Sequence, residues 1–159
     1  TAPLDALGFL IGGTWTAETT TEKGKVVYRE QSHWSLDHKF IATNAFQDID
    51  GRTAEHARSF IGWSETEQRL QHWSFSNDGA SVFSRQTPSS KSNQWVFDSM
   101  LDGPKLLRVR LTMTLVDPNV LTIQKELSTP HGYKDLGTLH YQRLPDSSQG
   151  QAGEVRYNL

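Results

Sequence analysis

The chain has 159 residues, a formal net charge of −2 and no cysteine. That length suits one domain with a real core, and the missing cysteines exclude disulfides, thiolate metal sites and cysteine nucleophiles. The 16 basic and 18 acidic side chains are dispersed, so no basic block is offered to a nucleic acid, and no apolar run approaches the roughly 20 residues of a membrane span.

Hydrophobic residues make up 35% of the sequence, but five Trp, four Tyr and seven Phe supply bulk that sparse aliphatic residues do not. The chain begins at Thr1 rather than Met, which fits the removal of either a signal peptide or an expression-derived segment. The compartment, cytoplasmic or exported, stays open at this point.

Pro3 sits at a plausible helix start, and Leu4, Leu7, Leu10 and Ile11 share one helical face. Gly12-Gly13 stops that helix. Ten short segments of alternating polarity come next, at 14–21, 25–36, 39–49, 55–63, 69–76, 80–87, 93–100, 105–115, 120–127 and 136–143. The turns between them include Asp50-Gly51, Asn77-Asp78-Gly79 and Asp102-Gly103-Pro104. No connection is long enough for a crossover helix, so sequence neighbours should be antiparallel neighbours. The expected fold is all-β: an antiparallel up-and-down barrel of about ten strands with a short N-terminal helix. Closure removes the exposed edges that so long a meander would otherwise leave, and the helix is expected to plug one end of the barrel. Residues 1–144 form this single domain, and 145–159 form a Ser/Gln/Gly-rich polar tail.

Several short motifs carry a family resemblance. Leu7-x-x-Leu10-x-Gly12-Gly13-Thr14-Trp15 opens the chain, and Phe60-Ile61-Gly62-Trp63, Trp73-Ser74-Phe75, Lys125-Glu126-Leu127-Ser128 and Tyr141-Gln142-Arg143 come after it in order. Together they resemble bacterial lipocalin-like domains of unknown function and, more distantly, the haem-binding nitrobindins. The resemblance implies a calycin-type barrel and no particular ligand. The nitrobindin pattern departs after Trp15, where Thr16-Ala17-Glu18-Thr19-Thr20 replaces a Gly-rich stretch. His140 also directly precedes Tyr141, so the two face opposite sides of their strand. The haem site is therefore not carried over, and haem stays only as an alternative.

Alternation along a strand yields the candidate site. A charged residue flanked two positions away by aromatics is expected to point inward with them, and an inward charge needs a partner or a ligand. Glu30 shares a face with Tyr28 and Trp34, Arg58 with Phe60, and Arg85 with Phe83. These seven residues predict an aromatic-walled cavity with two guanidiniums and a carboxylate, suited to a small hydrophobic or amphipathic ligand that could be anionic. The opposite orientation, with these charges in water, remains open. Arg110 and Glu126 are expected to form a surface cross-strand pair.

None of the six His stands at zinc-type spacing, and no nucleophile elbow, phosphate loop or dinucleotide fingerprint occurs. His72 reads as a buried histidine rather than a general base. The leading expectation is a binding module, monomeric or homodimeric. The alternative is a cavity enzyme of cyclase, isomerase or hydratase type, with Glu30 as base and Arg58 or Arg85 as electrostatic partner.

Overall fold

The computed structural model describes residues 2–101 and 107–145. The turn expected at 102–104 and the tail beyond Pro145 lie outside the described residues.

The short N-terminal helix is α1 (Ala2–Asp5), and a separate 3-10 turn (Gly8–Leu10) follows it. Leu4, Leu7 and Leu10 are buried in the main apolar cluster with Trp15, Ile41, Ile61, Leu70 and Leu121. The segment thus plugs one end of the sheet, as its apolar spacing predicts. Phe9 adds a ring contact with Trp95 at 5.2 Å.

Ten strands complete the fold: β1 (Thr14–Thr21), β2 (Gly24–Ser35), β3 (Phe40–Ile49), β4 (Arg52–Ser64), β5 (Arg69–Ser76), β6 (Ser81–Thr87), β7 (Gln94–Leu101), β8 (Leu107–Asp117), β9 (Val120–Thr129) and β10 (Gly132–Leu144). Each pairs antiparallel with its sequence neighbours, and β1 pairs with β10, so the sheet closes into a barrel. The fold class is therefore the one the alternation predicts. β4 begins three residues earlier than expected because Asp50-Gly51 turns with positive φ at both residues (51° and 75°), a two-residue hairpin geometry. β10 begins four residues earlier, at Gly132, because Tyr133 and Lys134 continue the ladder with Ser128 and Leu127.

Closure is uneven. β1 meets β10 through three residue pairs, Thr14 with Leu144, Trp15 with Arg143 and Thr16 with Gln142. From Gly132 to Gln142, β10 pairs with β9. The closed end is tied together by Arg143. Its Nη1 donates to the carbonyls of Phe9 (2.7 Å) and Ile11 (3.1 Å), and Nε donates to Asn119 Oδ1 (3.1 Å). Gly13 lies against this junction with φ +66°, where an added Cβ would fall 2.6 Å from the Leu144 carbonyl oxygen. Glycine is required there both by conformation and by space.

Candidate functional site

Strand parity decides what faces the barrel interior. On β2 the inward set is Val26, Tyr28, Glu30, Ser32 and Trp34, because Glu30 and Ser32 line the interior cavity and alternate residues share a face. On β4 and β5 the inward residues are Ala57, Ser59, Ile61, His72 and Ser74. The cavity measures about 260 Å³. Its apolar wall comes from Leu10, Trp15, Ala45, Phe97, Leu111, Met113, Leu121 and Ile123. Leu10 forms part of its wall, so the plug segment directly helps to shape the cavity.

Its polar equipment is small. The Tyr141 hydroxyl donates to Glu30 Oε1 at 3.3 Å, long for an O–H···O hydrogen bond. Burial pushes the Glu30 carboxyl above the usual carboxylate range, with the Tyr141 bond opposing. Burial and the adjacent Glu30 push the Tyr141 phenol up as well. Ser32 and Thr43 satisfy each other at 2.7 Å. His72 sits 5.9 Å from the Phe97 ring, and burial lowers it to about 4, so it is neutral at physiological pH.

His56 reaches the cavity through an irregularity. Ala45 pairs with Ala57, and the next residue, Phe46, pairs with Glu55, so His56 is the extra residue of a β-bulge. Its ring lies 5.7 Å from Tyr28, and its buried Nδ1 has no hydrogen-bond partner. Burial lowers its pKa. No sequence signal marks a bulge here, so parity alone leaves His56 unassigned. Tyr141 was visible only as part of a family-like motif, and as the residue facing away from His140. It is buried while His140 is exposed.

The seven expected site residues separate. Glu30 lines the cavity, and Tyr28 and Trp34 share its inward face. Trp34 lies toward the plug, with its ring edge-on to His38 at 5.1 Å and one ring carbon 3.8 Å from where a Gly8 Cβ would be. Arg58 is among the residues lining the cavity, but it is exposed, alternates with the inward Ala57 and Ser59, and bonds to Glu55, with Nη2 3.2 Å from Oε2.

Phe60, Phe83 and Arg85 depart from the expectation. Phe60 alternates with the inward Ser59 and Ile61, so it faces outward. Phe83 packs on Trp73 at 5.4 Å, and Arg85 stacks on Phe83 at 4.5 Å while bonding to Glu67 at 3.0 Å. Phe40 extends this outer row, 6.0 Å from Trp73. The physical reason is plain: Phe40, Phe60, Trp73 and Phe83 cover the outside of the barrel, while Ala57, Ser59, Ile61, His72 and Ser74 face the hollow. The expected Arg110–Glu126 pair is corrected too. The two are register partners, but the Arg110 guanidinium bonds to Asp98 at 3.4 Å and lies 3.8 Å over the Tyr133 ring.

The histidine next to Tyr141 offers no haem ligand to this interior. His140 faces away from it, and about 260 Å³ falls below even the ~300 Å³ at which pockets for drug-sized ligands begin. Among the described residues, no group of three or more His, Asp or Glu could hold a metal ion.

No family model matches the chain, and no curated protein does. Among solved structures it is similar to EF1p2_mFAP2b bound to DFHBI, at 14% identity over 89% of this chain and 98% of that one, with a TM-score of 0.34. A score that low carries no weight, and the architecture rests on the strand pairing above.

Proposed function

We propose that the protein is a single-domain, lipocalin-like binding barrel that holds one small, mostly apolar molecule in its interior. The observation that carries this reading is the cavity of about 260 Å³, which the chain's own side chains leave unfilled. Protein interiors ordinarily pack to crystal density, and a dry hole of this size costs on the order of several kcal/mol. A space with apolar walls and a few inward polar groups is the usual form of a ligand site. The contact of Trp15 with Arg143, from two motifs that resemble the lipocalin-like domains, supports the kinship.

The test is native mass spectrometry of protein purified without added ligand, together with a thermal-shift screen of small aromatic and aliphatic compounds. A retained molecule or a raised melting temperature is expected, since a ligand that prefers the folded state stabilises it. Ala45→Leu, which places a larger side chain in the cavity wall, should remove the response while the protein stays folded. A response unchanged in that variant would place binding elsewhere.

A second reading, a cavity enzyme, is favoured by one observation: a buried carboxyl of raised pKa hydrogen-bonded to a tyrosine. Its electrostatic partner would be Tyr141 or a neutral histidine, since Arg85 lies on the outer face. Glu30→Gln would then abolish turnover while leaving ligand binding in place.

A further inference from the structure

We propose that the guest of this cavity is a small apolar amine whose ammonium is received by Glu30; the proposal rests on the binding reading above and names the ligand class. Size sets the first limit. An engineered cavity of about 150 Å³ takes benzene, so one of about 260 Å³ accommodates a single ring with a short side chain.

Charge sets the second. Glu30 is the carboxylate that faces the cavity among the described residues, and only its Oε1 is engaged, by one long bond from Tyr141. Among the described residues, Arg58 is the one lysine or arginine that lines the cavity. Burial disfavours the protonated form of His56 and His72, and the Arg58 guanidinium is bonded to Glu55. Lys125 shares the inward parity farther out on β9, opposite Leu111, but is exposed and outside the cavity lining. An organic anion here would therefore be desolvated against a carboxyl group. An ammonium would instead make a charge-assisted hydrogen bond, about twice as strong as a neutral one. Burial and the neighbouring Glu30 keep the Tyr141 phenol protonated, so it does not alter this balance.

The experiment uses three probes of matched shape: 2-phenylethylamine, 2-phenylethanol and 3-phenylpropionate, titrated calorimetrically into wild type and Glu30→Gln. The amine should bind wild type at pH 8 at least tenfold more tightly than the alcohol, and the carboxylate more weakly than either. Glu30→Gln should bring the amine down to the alcohol's level. In wild type the amine's affinity should fall as pH is lowered toward 4.5, because Glu30 takes up the proton that the ammonium must displace. That pH series tests the idea independently if the variant does not fold. A carboxylate that binds best, an amine no better than the alcohol, or an amine affinity untouched by Glu30→Gln each overturns the amine assignment and leaves the binding barrel intact. Failure of all three probes to bind wild type counts against both readings.

Discussion

The guanidinium of Arg143, on the last strand, lies 4.6 Å over the indole of Trp15, on the first. The two are also register partners across the seam that closes the barrel. The Trp15 indole nitrogen donates to the Leu10 carbonyl at 3.2 Å, so the plug, the first strand and the last strand meet at one stacked pair. Arg143→Ala removes the stack and leaves the carbonyls of Phe9 and Ile11 without their donor. A charged hydrogen bond contributes ~1.5–3 kcal/mol and a cation–π contact ~0.5–2. The expected loss is about 2–4 kcal/mol in urea denaturation, with Arg143→Lys recovering less than half, since an ammonium cannot serve acceptors on several sides at once.

Glu30 predicts a pH dependence of stability. Its carboxyl is raised in the folded protein, so its contribution is fully present below the ordinary carboxylate value of 4.5 and is lost as pH rises through the folded value. Glu30→Gln, which cannot ionise, should therefore gain on wild type as pH climbs from 4.5 toward neutrality. Denaturation midpoints of the two proteins at matched pH values check this, and parallel curves would count against a buried carboxyl.

His72 works in the opposite direction. Its value falls from 6.5 to about 4 on folding, so the unfolded chain holds the extra proton between those values and stability drops as pH falls through that window. The loss is on the order of 3 kcal/mol at full effect. His72→Gln should flatten the acid limb of the stability curve between pH 6.5 and 4. An acid limb of the same slope in the variant would show that the imidazole is solvated.

The outer aromatic row depends on Gly62. A Cβ there would fall 2.5 Å from Cε1 of Phe40, which lies across the glycine. Gly62→Ala should cost about 1–3 kcal/mol through overpacking and shift the Trp73 environment, read by fluorescence. Phe40→Leu in the same protein should recover part of the loss, because the clash rather than backbone freedom is responsible.

The barrel was legible because its turns and alternation agree: Asp50-Gly51 is a hairpin, and Leu4, Leu7 and Leu10 do form a plug. The inward face of β2 was legible for the same reason, since Tyr28, Glu30 and Trp34 alternate with exposed Gln31 and His33. The rule failed on β4 and β6 because it treats aromatics as interior markers. In a barrel with a hollow centre the apolar demand is split between two surfaces, and Phe60 and Phe83 serve the outer one. His56 was hidden for a different reason: a bulge shifts parity by one residue, and only the pairing of Ala45 and Phe46 with Ala57 and Glu55 reveals it.

The three-pair seam has a corollary for how the molecule behaves in a crowd. Most of β10 runs as a margin with main-chain groups turned away from β9, the kind of border on which foreign strands assemble into fibrils. Here it is blunted: Lys134 and Asp135 put charge along it, Leu136 breaks the register, and the Gly137 amide is taken by Asp135 Oδ1 at 2.8 Å. The chain can leave its ring loosely fastened without inviting runaway polymerisation.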